Sequence, residues 1–416
     1  MVKWNTLHHQ SMNLYRRGEY NRATVVARKA LAAAEQDVGL KHPDVAPILN
    51  NLANLCSAQG DYATAEPILK RSLIILKKEF GKDHLDVAEN LGNLANLYYA
   101  QGDYTKAEIL YTRSMVIDEK SFGPDHPQVA AGLNNLADLY GVQGKYAKAE
   151  PLLKQSLAII EKYFGLDDPK VVASLNNLAL LYNTQGEYAK AEPLYKRSLK
   201  IEEKHRGPNH PSVTKALNDL AGLYKIQGNH EKAEPLYKRS LAIVEKTLGP
   251  EHPHVAKSLT NLAEFHSTQG NYAKAELHYQ RSLTILEKSL GLDHPDVATS
   301  LNNLADLYHA QNDYAKSEPH YRRSLAIMEK SLGLDHPDVA ASLNNLALLY
   351  YAQGHYTKAE PLHKRSLTID KKALGRNHPD VATSLENLAD LYRATNRIKE
   401  AEKLERRSAR IRATKQ

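Results

Sequence analysis

The chain repeats itself. Gly291–Leu332 runs straight into Gly333–Leu374, and the two segments align residue for residue at a period of 42. An internal period of roughly 20 to 50 residues marks a stacked array, in which each unit buries its apolar face only against its neighbours. Length alone, 416 residues, suggests two or three globular domains. The repeat replaces that expectation with one continuous core of nearest-neighbour contacts, and a hydrophobic fraction of 42% is enough to fill it.

The tripeptide Asn-Leu-Ala fixes the register. It begins at Asn51, Asn93, Asn135, Asn177, Asn261, Asn303, Asn345 and Asn387, with Asp219-Leu220-Ala221 in the one variant slot. Counting back reaches His9-Gln10-Ser11, where the pattern is degraded although Gly18-Glu19-Tyr20 still matches Gly60-Asp61-Tyr62. The spacing predicts ten helical pairs forming a single array over 1–416. It comprises an N-terminal capping repeat (1–44), eight 42-residue repeats (45–380) and a C-terminal capping helix pair (381–416). Atypical first and last units are what the ends of an array require.

Each unit carries two helical patterns. Leu301, Leu304, Ala305 and Tyr308 recur at the spacing of one buried helical face, as do Tyr314, Ser317, Tyr321, Ser324, Leu325 and Met328. The first helix ends at a glycine (Gly60, Gly102, Gly144, Gly186, Gly228, Gly270, Gly354) or at Asn312 or Asn396, the residues best suited to a left-handed cap. The second ends at another glycine, after which a His-Pro loop leads into the next helix, with Pro in its first turn. Leu85 replaces that Pro once and Asp168 replaces that His once. Pro67, Pro151, Pro193, Pro235, Pro319 and Pro361 fall inside the second helix, where a bend or a short first turn is expected.

These residues resemble the tetratricopeptide repeat, in the 42-residue variety of kinesin light chains and their bacterial relatives. The general pattern falls on Leu343, Leu346, Ala347, Tyr350, Ala359 and His363, with Leu for Trp and Ala for Gly, and the second helix runs on into the LGxDHPDVA loop. The resemblance covers roughly residues 3–412. It implies an all-α, right-handed α-solenoid whose first helices line a concave groove that holds a partner's peptide. The heptads and motor-binding features of a true kinesin light chain are absent, so the likeness concerns the repeat and not the cellular role.

Several chemistries find no support. Nineteen histidines suggest a metal, but the loop histidines lie one repeat apart and form a line, whereas a metal needs three or four converging ligands. Capping of the first helix is the expected role. Cys56 is the one cysteine and stands in the slot of Tyr98, Tyr140 and Tyr182, a packing position. No phosphate-binding loop, dinucleotide fingerprint, nucleophile elbow or zinc-protease motif occurs, so no enzyme and no cofactor is expected. The opening residues hold no apolar run of signal length, and a cytoplasmic protein, monomeric by default, is the expectation.

If the Asn of each tripeptide faces the groove, it offers a donor and an acceptor to a peptide backbone whatever the ligand's sequence. The alternative is that each Asn bonds within its own repeat. The candidate binding face is therefore Asn93, Asn135, Asn177, Lys215, Asp219, Lys225, Lys257, Asn261, Glu264, Asn303, Asn345 and Asn387, with Lys215, Lys225 and Lys257 favouring an acidic stretch. The function expected is a non-catalytic scaffold for protein partners. The alternatives are a regulatory or sensor subunit of a separate protease, nuclease or ATPase, and nucleic-acid binding through the basic C-terminal cap. Net charge, +7, is too small on a long surface to decide for nucleic acid.

Overall fold

A computed structural model describes residues 3–16 and 19–413; Gly18 and Lys415 lie outside the described residues. Twenty helices follow one another and no strand is present among the described residues. They are α1 (Lys3–Arg16), α2 (Tyr20–Val38), α3 (Val45–Ala58), α4 (Tyr62–Phe80), α5 (Leu85–Ala100), α6 (Tyr104–Phe122) and α7 (Pro127–Val142). Next come α8 (Tyr146–Phe164), α9 (Val171–Thr184), α10 (Tyr188–Arg206), α11 (Val213–Ile226), α12 (His230–Leu248), α13 (Pro253–Thr268) and α14 (Tyr272–Leu290). The last are α15 (Pro295–Ala310), α16 (Tyr314–Leu332), α17 (Pro337–Ala352), α18 (Tyr356–Ala373), α19 (Pro379–Ala394) and α20 (Ile398–Ala413). Eight odd helices pack on the even helix after them, and Ser114 and Ser324, donating to the carbonyls of Ala88 and Ala298, tie α6 to α5 and α16 to α15, which makes the chain an all-α array of helical pairs.

The chain divides into two compact units. Unit 1 holds Met1–Ile117, Asp293–Ala298 and Tyr314–Gln416, and unit 2 holds Asp118–Leu292 and Thr299–Asp313. In unit 2 the core runs through Leu178, Tyr182, Leu220, Tyr224 and Phe265, which are buried with the small residues Ala179, Ala191, Ala221 and Ala233 between them. Alanine at these positions lets helices approach, and the larger side chains fill the space between them. In unit 1 the equivalent layer is Val45, Ile48, Leu49 and Ile75 around Ala30 and Ala34.

Two glycine series close the turns, in two different backbone regions. The glycines after the first helices, with Asn312 and Asn396, sit at φ 59° to 76°, the left-handed region that Asn also tolerates. Those after the second helices sit at φ 87° to 98°, with ψ of 154° to 169° where it is measured. That corner is essentially glycine's alone. The sequence substitutes Asn twice in the first series and nothing in the second, as the two regions dictate.

The internal prolines do not break their helices. Tyr62–Phe80 continues through Pro67, and the same holds at Pro151, Pro193, Pro235, Pro319 and Pro361. Each proline forfeits one backbone bond near the helix start. Asp61 and Asn229 offset such a loss by accepting from the amides of Thr64 and Lys232.

Candidate functional site

The loop histidines are helix caps. Nδ1 of His42, His84, His126, His210, His252, His294, His336 and His378 accepts from the backbone amide two residues on, at 3.0 to 3.2 Å. Asp168, which replaces a histidine, does the same work with Oδ1 at 2.8 Å from the Lys170 amide. The acids before these histidines are taken up as well: Asp125, Asp167, Asp293 and Asp335 pair with Lys162, Lys204, Lys330 and Lys372. No group of three or more metal-binding side chains assembles among the described residues. Cys56 is buried, and burial pushes its thiol up to about 11, so it stays protonated at neutral pH.

The tyrosine ladder has a polar side that sequence spacing did not reveal. Tyr98, Tyr182, Tyr224, Tyr308 and Tyr350 donate to Glu66, Glu150, Glu192, Glu276 and Glu318 at 2.7 to 2.8 Å. Lysines Lys106, Lys190, Lys232 and Lys358 lie over four of these rings. The tyrosines therefore tie one pair to the next. The recurring Glu, always the same distance before the Tyr, was the available signal.

At the C-terminal cap, Arg393 pairs with Glu405, Arg397 with Glu360 and Glu400, and Arg412 with Glu386. Three of the cations that made this helix look basic are thus committed within the protein, which weakens the nucleic-acid reading.

Six of the nine ladder positions line clefts. In unit 1, Asn51 and Asn93 with Asn54, Asn96, Ala58 and Tyr62 border a cleft of about 630 Å³ that no charged residue lines among the described residues. In unit 2, Asn135 and Asn177 with Asp138, Gly141, Leu180 and Thr184 border one of about 470 Å³ between α7 and α9. A second unit 2 cleft, about 720 Å³, brings together Lys215, Asp219, Lys257, Asn261, Glu202 and His254. Asn303, Asn345 and Asn387 hold the same helical position, half-buried, but line none of these three clefts.

Asn135 and Asn177 are exposed. Among the described residues the ladder's intrachain side-chain bond belongs to Asn51, which donates to Ser11 Oγ at 3.1 Å. Two of the asparagines that precede a ladder position bond inward instead: Asn50 accepts from Asn90 at 2.7 Å, and Asn344 donates to Ser384 at 3.1 Å.

Of the charged candidates, Lys225 and Glu264 lie 3.7 Å apart and compensate each other. That leaves Lys215 and Lys257, both exposed, on either side of the half-buried Asp219. Burial pushes the Asp219 carboxyl up, and the two ammonium groups pull it back. Gly141 was missed. It stands in the column of Tyr99 and Tyr351 and lines that cleft, and a Cβ there would meet nothing within 4 Å. Reading down the columns would have found it.

The tetratricopeptide repeat family model matches residues 5–78, 44–120, 86–162, 128–204, 212–288, 259–330, 296–372 and 338–414. Among solved structures, BtubC (BKLC) from P. vanneervenii is similar at 26% identity over 55% of this chain and 91% of that one, with a TM-score of 0.48. A Podosopora anserina protein of kinesin-light-chain type with nearly identical TPR-like repeats shares 30% identity over 50% of this chain and 98% of that one, TM-score 0.44. A Rap protein complexed with competence and sporulation factor shares 14% over 100% of both chains, TM-score 0.48. No curated protein matches. Among the described residues no helix is long and apolar enough to cross a membrane. With matches to the family model spanning nearly its whole length, the chain belongs to the tetratricopeptide repeat family, with a repeat period of 42 residues.

Proposed function

We propose that this chain is a cytoplasmic scaffold without chemistry of its own, which holds an extended segment of a partner protein against its asparagine ladder. The observation that carries the reading is that Asn135 and Asn177 stand exposed at a cleft, their side chains making no hydrogen bond to the described residues. An amide in that state offers a donor and an acceptor to a peptide backbone. Lys215 and Lys257 add a preference for an acidic stretch at the second unit 2 cleft, and Asp219 between them takes a donor from the same segment. The partner is thus a peptide of mixed charge with an acidic centre.

Capture of partners by the full chain, identified by mass spectrometry, supplies the ligand. The variant Asn135→Ala, Asn177→Ala, Asn303→Ala, Asn345→Ala then tests the ladder. At about 1 kcal/mol per lost bond, affinity should fall by roughly three orders of magnitude with helical content unchanged. Affinity within threefold of the parent refutes the ladder as the binding face.

A further inference from the structure

We infer that unit 1 carries a histidine latch, in which the cap loops at His336 and His378 dock on the helix turns at Gly60 and Gly102 and the neutral imidazole of His336 is the bolt. His336 Nε2 lies 3.1 Å from the Ala58 carbonyl, 278 residues away in the chain. Nδ1 of the same ring accepts from the Asp338 amide at 3.0 Å, so the proton must sit on Nε2 and is donated to Ala58. One ring thus caps α17 and binds the N-terminal arm at once. A second proton on the ring removes the acceptor that the cap needs.

The fit at the turns is close. A Cβ on Gly60 would lie 2.7 Å from Pro337 Cδ and 3.0 Å from His336 Cδ2, and one on Gly102 would run into the His378 ring. The two contacts have the same sequence separation, and Asn21 Nδ2 adds a bond to the Lys330 carbonyl at 3.3 Å. Local conformation does not require this. Gly144, Gly186, Gly228, Gly270 and Gly354 share the same φ, and a Cβ on any of them would meet nothing within 4 Å. The cap histidines differ accordingly: the side chains of His336 and His378 are 9% and 12% exposed, against 43% and 42% for His42 and His84.

The charged surroundings are these. Asp338 Oδ2 is 3.6 Å from His336 Nδ1. Tyr20 of α2 and Tyr62 of α4 feel Asp338 and are pushed up by burial first, and Lys372 of α18 pairs with Asp335 and feels Asp61. Burial lowers His336 and Asp338 partly restores it. A group depressed in the closed state supports closure fully above its ordinary value, near 6.5, and that support is lost as pH falls through the lower closed-state value. Ala58 and Tyr62 also border the Asn51–Asn93 cleft, so the latch shares two residues with that part of the binding face.

The test uses the full chain with Cys56→Ser and spin labels on Arg22→Cys and Lys330→Cys. A single short inter-label distance is expected at pH 8. It should persist in Gly144→Asn and vanish in Gly60→Asn and Gly102→Asn, since Asn312 and Asn396 show that Asn itself suits this turn. His336→Asp keeps a cap, as Asp168 does at 2.8 Å, but has no donor, so the short-distance fraction should fall at least twofold at pH 8 and no longer respond to pH. The parent should lose that fraction between pH 8 and pH 5 with helical circular dichroism unchanged. A short distance retained in Gly60→Asn and Gly102→Asn overturns the latch, as does equal loss in Gly144→Asn. A parent with no response at pH 5 overturns the histidine bolt.

Discussion

The cleft around Asp219 in unit 2 and the interior around Asp370 in unit 1 each place a carboxylate where most other units carry something else, and the surroundings give the two acids opposite meanings. Asp219 takes the slot of the ladder asparagine and lies between two exposed lysines at the edge of open space. Asp370 takes a slot that holds Leu76, Ile160, Val244, Leu286 and Met328 in five units and an acid, Asp118 or Glu202, in two, and it is 4% exposed. Ser384 donates to it at 2.7 Å, Asn344 donates to Ser384 at 3.1 Å, and His363 Nδ1 donates to Asn344 Oδ1 at 2.9 Å. The chain of bonds ends at His363 Nε2, which is buried without a hydrogen-bond partner among the described residues. A departure from the repeat that faces solvent is available to a ligand. A departure that faces inward acts on the stability of its own unit.

Substitutions at the two places should therefore separate binding from stability. The largest effect is expected for Lys215→Glu with Lys257→Glu, which should lower affinity for a captured acidic partner by roughly 100-fold or more, at about 1.5–3 kcal/mol per charged contact. The melting temperature should stay within a degree or two, because the lysines are exposed. Calorimetric titration checks the first and thermal unfolding the second; a large fall in melting temperature would erase the contrast.

Next in size is Asp370→Asn. Burial pushes this carboxyl up to about 6. A group raised on folding supports the fold fully below its unfolded value near 3.9, and that support is lost as pH rises through about 6. The Asn variant should therefore be more stable than the parent by about 2 kcal/mol at pH 8, with the gap closing by pH 4 in chemical unfolding. His363 has the opposite sign. Burial lowers it to about 4, so its support is complete above 6.5 and fades as pH falls through about 4. His363→Tyr, the residue of Tyr195 and Tyr321, should remove that acid-side loss, and partner affinity should change in neither variant.

The smallest effects compare the two glycine series. Gly291→Asn enters the glycine-only corner and should cost about 1–3 kcal/mol. Gly354→Asn enters the region already held by Asn312 and should cost less than about 1 kcal/mol. Equal losses would mean that the two turns do not differ in the way their backbones indicate.

Much of this was legible in the residues themselves. Helix pairs, caps and turn glycines depend on contacts within one period, so each unit states them again, and Asp168 standing in for a histidine is the chemistry of the cap written twice. The ladder positions were legible as well, because they follow from the register. The compensation of Lys225 by Glu264 was not, since it needs the side-chain distance between neighbouring first helices. Nor was the polar chain from His363 to Asp370, which is spread over three helices and shows in sequence only as two unrelated substitutions beside the ordinary Asn344 and Ser384.

The period of 42, the helical pairing and the backbone region of each glycine were determined by the sequence alone, because local sterics and nearest-neighbour burial are the same in every unit. Which turns stay open and which receive a histidine from 278 residues away was decided only in the tertiary structure. Gly60 and Gly144 share one conformation and one sequence role, and only the path of the intervening chain brings Pro337 onto the first and leaves the second uncovered.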